Sequence, residues 1–233
     1  MIKQCPQCGV EMRHHDVKQA EDCWFLYKSD ESTQQFVTEA IARCDVSPMF
    51  GKQTFEASDE SAMAHNPESW DAAKAWLDSG ARCLYLYGPP GTGKTYAGRC
   101  VLYDALKSRT QEKPYVSVIE LSAYKMLKNA SSFGAVAEYL NMRLELCDYL
   151  MIDDIDKPTW TANHVSFFWN LLNERYDKGG RIIITTNINP DKFRDIFKGV
   201  SNSNNSKVTA AIERLHPVTQ AEFKGESLRR LSL

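Results

Sequence analysis

Apolar positions in this chain fall into short dense runs, with stretches of helical spacing between them. Cys83–Tyr87 (Cys-Leu-Tyr-Leu-Tyr), Tyr149–Ile152 and Arg181–Thr186, with its run of isoleucines, are apolar and rich in β-branched or aromatic residues. Strands buried on both faces have this character. Tyr115–Leu121 alternates apolar with polar and predicts a further strand. Between these runs, Tyr96–Leu106 suits a helix despite Gly98, and Ala162–Tyr176 carries an aromatic apolar face. Trp70–Leu77 predicts another helix, capped from Asn66-Pro67-Glu68-Ser69 and ended by Gly80. Strands alternating with helices predict an α/β fold whose parallel sheet is covered by helices on both sides. In such folds ligands bind outside the carboxyl edge of the strands.

The flanks look different. Residues 51–67 are polar with little periodicity and read as a linker or strap. Residues 201–206 (Ser-Asn-Ser-Asn-Asn-Ser) are low in complexity and read as a loop. Near the N-terminus, Glu31–Arg43 predicts a helix with Phe36, Val37, Ala40 and Ile41 on one stripe. That stripe either packs inside a small module or docks a partner. No internal repeat is present.

Composition narrows the class. A chain of 233 residues holds one sizeable domain plus a small appendage. Lys+Arg 28 against Asp+Glu 30 leaves a net charge of -2, so any nucleic-acid contact must come from a local patch rather than from bulk charge. The N-terminus has no apolar signal region, and no run approaches the roughly 18 apolar residues of a membrane span. A soluble cytoplasmic protein without membrane partners is the expectation. Its seven cysteines are then reduced thiols or metal ligands. Cys83, Cys100 and Cys147 lie in or beside predicted core elements and read as small buried hydrophobes.

The candidate chemistry begins where the first dense run ends. Gly88-Pro89-Pro90-Gly91-Thr92-Gly93-Lys94-Thr95 fits G-x-x-x-x-G-K-[ST], a loop whose backbone N–H groups cradle a polyphosphate. Lys94 supplies charge to the β- and γ-phosphates, and the Thr95 hydroxyl can ligate Mg²⁺. A strand before the loop and a helix after it add the helix dipole to the phosphate site. Tyr149–Ile152 then delivers Asp153-Asp154-Ile155-Asp156 at a strand end. Beside a phosphate loop, Asp153 would hold Mg²⁺ and Asp154 would orient or deprotonate the attacking water. Asn187 follows Arg181–Thr186; it either hydrogen-bonds the γ-phosphate or water, or serves as a turn residue before Pro190.

A second candidate site lies upstream. Cys5-Pro6-Gln7-Cys8-Gly9 is a C-x-x-C hairpin able to give two thiolates to zinc, with further ligands among His14, His15 and Cys23, one histidine being needed, and Cys44 more distant. The set departs from standard zinc-finger spacing. A redox pair or unligated thiols are the competing readings.

The phosphate loop, "LMIDDID", "LLNERYDKGGRIIITTNINP", "IERL" and "GESLRR", in this order and spacing, resemble the AAA+ ATPases of the bacterial helicase-loader group. That group comprises DnaC- and DnaI-type loaders and the similar IstB transposition helpers. The resemblance covers about residues 44 to 233 and includes Ser47-Pro48-Met49-Phe50 and Thr54-Phe55. Asp156 stands where the group commonly has Gly. The resemblance implies an AAA+ P-loop ATPase over residues 49–233 with a minimal C-terminal lid, and a zinc- and partner-binding module over residues 1–48. It implies ATP and Mg²⁺ as cofactors, Arg214 as an arginine finger reaching a neighbouring subunit, and Arg229, with Arg230 as fallback, as sensor 2. Asn173-Glu174-Arg175-Tyr176 is then a packing or subunit-contact segment. The implied partners are a hexameric replicative helicase, single-stranded DNA through the region of Tyr124, Lys125, Lys128 and Arg143, and further copies of the chain. A transposition helper, or a nucleotide-gated adaptor with little hydrolysis, are the alternatives.

Overall fold

The computed structural model describes residues 53–58, 63–108, 116–132, 135–197, 200 and 205–228. The zinc candidates Cys5, Cys8, His14, His15 and Cys23, the helix predicted over Glu31–Arg43, and Arg229 and Arg230 lie outside these residues.

The dense apolar runs become strands. β1 (Cys83–Tyr87), β2 (Val118–Ser122), β3 (Tyr149–Asp153), β4 (Arg181–Thr186) and β5 (Val218–Glu222) form one sheet in the order β2-β3-β4-β1-β5. Every neighbouring pair is parallel. Successive side chains of a strand point to opposite faces, so each run feeds two cores. Tyr85, Ile119, Leu121, Leu150, Ile152, Ile182 and Ile184 face one. Leu84, Leu86, Val118, Met151 and Ile183 face the other.

Helices cover both faces, as the alternation predicts. On the second face lie α1 (Pro67–Ala75), a 3-10 turn over Trp76–Asp78, and α2 (Lys94–Lys107). On the first lie α3 (Ala123–Ala130), α4 (Ala135–Leu146), α5 (Ala162–Asp177), a 3-10 segment over Pro190–Phe197, and α6 (Asn205–Arg214). Gly98 has a packing reason: a Cβ there would meet Met151 Cε at 2.8 Å, so glycine lets α2 lie close to β3. Among the described residues no helix is long and apolar enough to cross a membrane.

Several boundaries differ from the sequence expectations. β2 starts at Val118 rather than Tyr115. The helix expected from Trp70 begins at Pro67 and tightens to 3-10 before Ser79, ahead of Gly80. Asn66 precedes that helix, but its side chain does not cap it. Asn66 instead pairs with Lys224, accepting from the backbone N–H at 2.6 Å and donating to the carbonyl at 3.2 Å. The stretch read as a loop through residue 206 is already helix from Asn205. β5 escaped prediction because it is an edge strand in which only Ala221 is buried, so it shows no apolar run.

The strap expectation is met over residues 53–58, which lie along α2. Phe55 packs edge-on against Trp70, Arg99 donates to Gln53 Oε1 at 2.9 Å, and Lys107 pairs with Glu56 at 3.2 Å. Cys83, Cys100 and Cys147 are buried free thiols. Burial pushes the Cys83 and Cys147 thiols up and the Cys100 thiol to about 12, which leaves them unreactive packing groups.

Candidate functional site

β1 ends in the glycine-rich loop, and the chain turns there because two glycines admit close neighbours. A Cβ on Gly88 would lie 1.9 Å from the Phe223 carbonyl oxygen, which follows β5. A Cβ on Gly91 would lie 2.1 Å from Ser227 Oγ. Both have positive φ, 137° and 81°. The segment after β5 is fastened to the loop: Phe223 donates its N–H to Tyr87 O at 2.7 Å, and Leu228 donates to Gly91 O at 3.0 Å. The "GESL" stretch thus lies against the phosphate loop. Thr92 closes the turn, donating to Pro89 O at 2.8 Å.

Lys94 opens α2 and is only 5% exposed. Its ammonium donates to Gly88 O at 2.8 Å, Pro89 O at 2.7 Å and Asn187 Oδ1 at 3.2 Å. Burial pulls its pKa down, while the charges of Asp154, Asp156 and Asp153 push it back up. One residue on, Thr95 donates to Asp153 Oδ1 at 2.8 Å. The hydroxyl after the phosphate-loop lysine and the carboxylate that ends β3 therefore meet, although 58 residues separate them in sequence.

β3 and β4 run side by side, so their carboxyl ends deliver their polar residues together. Thr185, fully buried, donates to Asp153 Oδ1 at 2.6 Å and accepts the Asp154 N–H at 2.9 Å. Asp154 adopts a left-handed backbone, φ 55°, the one non-glycine to do so among the described residues. Burial first, then the neighbouring charge of Asp153, raises its carboxyl above the ordinary value of 3.8. Asp156 accepts from Thr186 Oγ1 at 2.8 Å and from the N–H and Nδ2 of Asn187 at 3.1 and 2.9 Å.

Gly88 to Thr95, Asp153, Asp154 and Asn187 therefore share one edge of the sheet, the edge where β1, β3 and β4 all end. The donor set suits a magnesium–polyphosphate ligand. It offers a buried ammonium, a glycine-rich turn at a helix N-terminus, and a hydroxyl beside a carboxylate amid surplus negative charge. Among the described residues no group of three or more His, Cys, Asp or Glu side chains is arranged to hold a metal by itself. A magnesium here would need ligand oxygens as well. Thr185, Thr186 and Asp156 join the site without having been singled out for it. Their signal was present in two hydroxyls closing an isoleucine-rich strand and a third carboxylate in "DDID".

Arg214 lies elsewhere. Its guanidinium donates to Asn173 Oδ1 at 3.0 Å and sits 5.1 Å from the Tyr176 ring. Arg82, just before β1, caps the Tyr176 carbonyl at 3.0 Å. This cluster is at the amino edge of the sheet, opposite the phosphate loop. Arg175 in the same segment is a packing residue: fully buried, it donates to the carbonyls of Leu144, Cys147, Asp148 and Arg181. On α3 and α4, Tyr124 (68%) and Tyr139 (55%) are exposed, and Arg143 lies 5.9 Å from the Tyr139 ring.

Residues 68–232 match the family described as IstB-like ATP binding protein. Among curated relatives, DnaA of Streptococcus mutans, named as a chromosomal replication initiator protein, is 27% identical over 184 residues. That match takes in 72% of this chain and 37% of DnaA. A protein of insertion sequence IS21 from Pseudomonas aeruginosa is 29% identical over 149 residues, 63% of this chain and 52% of that one. The chain thus spans about half or less of these two relatives. Among solved structures, DnaI superposes with a TM-score of 0.59 at 16% identity, covering 78% of this chain and 93% of DnaI. The DnaC helicase loader gives 0.53 at 15% identity over 75% and 99%. These likenesses show a shared fold, and it is the AAA+-type core that the resemblance implied.

Proposed function

The chain belongs to the IstB-like ATP binding protein family, an AAA+-type ATPase group related to the DnaI and DnaC loaders, and from that premise we propose that it binds and hydrolyses ATP with Mg²⁺. We further propose that it uses this cycle to load a replicative helicase on single-stranded DNA. The observation that carries the ATPase reading is the meeting of Lys94, Thr95, Asp153, Asp154 and Asn187 at one sheet edge, through the Lys94–Asn187 and Thr95–Asp153 bonds.

Each residue has a task that follows from its chemistry. The loop amides and the Lys94 ammonium bind the phosphates, the ammonium exchanging its present contacts with Gly88 O and Pro89 O for phosphate oxygens. Thr95 and Asp153 would hold Mg²⁺, which supplies neutralising charge to the β- and γ-phosphate oxygens. Asp154, its basicity raised by burial and by Asp153, accepts the proton of the attacking water. Asn187 orients that water or the γ-phosphate. Arg214, at the opposite edge, serves the site of a neighbouring copy, where a charge on the transferring phosphoryl group has most effect. Arg229 acts as sensor 2. Tyr124, Lys125, Lys128 and Arg143 form the single-strand contact, by ring stacking and phosphate pairing. Residues 1–48 carry zinc on Cys5, Cys8, Cys23 and one of His14 and His15, and grip the helicase.

The family match and the IS21 relative favour a second reading, a transposition helper with the same ATPase cycle. Purified chain should bind an adenine nucleotide only with Mg²⁺ and hydrolyse it; the absence of both would end the ATPase reading. Capture with a hexameric helicase supports the loader, and capture with a transposase instead supports the helper. Deleting residues 1–48 should abolish helicase capture and zinc content while ATP binding survives.

A further inference from the structure

Asn187 is useful to a phosphate site only if its amide is turned the right way. Its oxygen can only accept and its nitrogen can only donate, and an unrestrained amide can flip. In this protein both ends are engaged. Asp156 Oδ2 accepts Asn187 Nδ2 at 2.9 Å, while Asn187 Oδ1 accepts from Lys94 Nζ at 3.2 Å. Asp156 Oδ1 also takes the Asn187 backbone N–H at 3.1 Å and the Thr186 hydroxyl at 2.8 Å, so one carboxylate grips both the backbone and the side chain of the same residue.

An ionised carboxylate accepts only and an ammonium donates only. Flipping the amide would set oxygen against oxygen at Asp156 and N–H against N–H at Lys94. One orientation therefore satisfies both neighbours. Burial pushes the Asp156 carboxyl up, but the bonds from Thr186 and Asn187 together outweigh it and hold it below the ordinary value, which keeps it ionised at neutral pH.

We propose that Asp156 is a positioning residue: it locks the Asn187 amide with its oxygen toward Lys94, leaving the second Nδ2 hydrogen and the remaining oxygen lone pair to face the phosphate cradle. Its consequence for hydrolysis rests on the ATPase reading. Both Asp156 carboxylate oxygens are engaged by Thr186 and Asn187. Asp156 acts by removing the alternative orientation of Asn187 before the substrate arrives, so its effect falls on turnover and not on nucleotide binding.

The test uses the full-length chain with D156N, which keeps the shape but replaces an acceptor-only group, D156A, N187A and the D156A/N187A double variant. Thermal midpoints select the variants that remain folded, and D156N stands in if D156A does not. D156N and D156A are expected to lower kcat for ATP roughly ten- to a hundredfold. KM and the Kd of a fluorescent ADP analogue should stay within about twofold, and the double variant should be no slower than N187A. An unchanged kcat, a loss confined to KM, or a double-variant loss equal to the product of the single ones overturns the proposal. An independent readout needs no turnover. In side-chain amide NMR spectra of nucleotide-free protein, the Asn187 NH₂ pair should be slow to exchange and become fast in D156N; fast exchange in the parent overturns the lock. A parent that hydrolyses no ATP sinks the ATPase reading, and the amide spectrum then still decides whether Asp156 holds Asn187.

Discussion

Asp154 combines two unfavourable features at the end of β3: a left-handed backbone and a half-buried carboxylate beside Asp153. Asparagine tolerates that backbone better than aspartate and carries no charge. D154N should therefore be more stable than the parent without nucleotide, yet fail to turn over ATP while still binding it. The sign can be followed through pH. A carboxyl whose folded pKa is raised binds its proton more tightly when folded, so it destabilises at neutral pH and ceases to do so as pH falls through the raised value toward 3.8. The excess in thermal midpoint of D154N over the parent should thus be larger at pH 7 than near pH 5. A midpoint at or below that of the parent at pH 7 would count against this account. The pairing of Asp154 with the phosphate loop was legible from motif order. The left-handed backbone was not, since it arises where Thr185 of the next strand takes the Asp154 N–H.

At the scale of elements, the ends of secondary structures matter more than their middles. Arg175 ends α5 by donating to carbonyls of the α4–β3 connection and of Arg181, tying α4, α5 and β4 together without exposure. R175M removes the guanidinium bonds that those carbonyls receive in the core and should cost about 3 kcal/mol, measured by denaturant unfolding. Gly88 joins β1 to the phosphate loop beneath the Phe223 carbonyl. G88A should lose nucleotide binding and roughly 2–3 kcal/mol of stability, because the new Cβ overlaps backbone that cannot rotate away. Wild-type nucleotide affinity in G88A would contradict the close approach. β1, β3 and β4 were readable because strands buried on both faces must be apolar throughout. β5 was not, because it buries only Ala221 and takes its register from β1 rather than from its own composition.

Across the whole molecule, the phosphate loop and Arg214 lie at opposite edges of one sheet, so a single chain cannot bring its own Arg214 to its own phosphates. Under the proposed side-by-side assembly a neighbouring copy would supply it. R214A should bind nucleotide normally but lose roughly a hundredfold or more in kcat. Mixing it with D154N should restore part of the activity, because the mixed boundary pairs an intact site with an intact arginine. Mixtures no more active than either variant would argue that Arg214 does not act between copies. In isolation Arg214 is held against Tyr176 and Asn173, so the contact would have to be exchanged on assembly.

Sequence alone determined the phosphate loop, the Asp153-Asp154 pair, the position of Asn187 and the alternating α/β order. These depend on residue type and short spacing, which local sterics and burial dictate wherever the chain goes. Tertiary structure decided which polar groups meet across strands: Thr95 with Asp153, Asp156 with Asn187, Asn66 with Lys224, Leu228 with Gly91. Strand order and register set those pairings, and both follow from packing two cores against one twisted sheet rather than from any neighbouring residue. The same packing turned Arg175 inward and left Arg214 at the edge opposite the site.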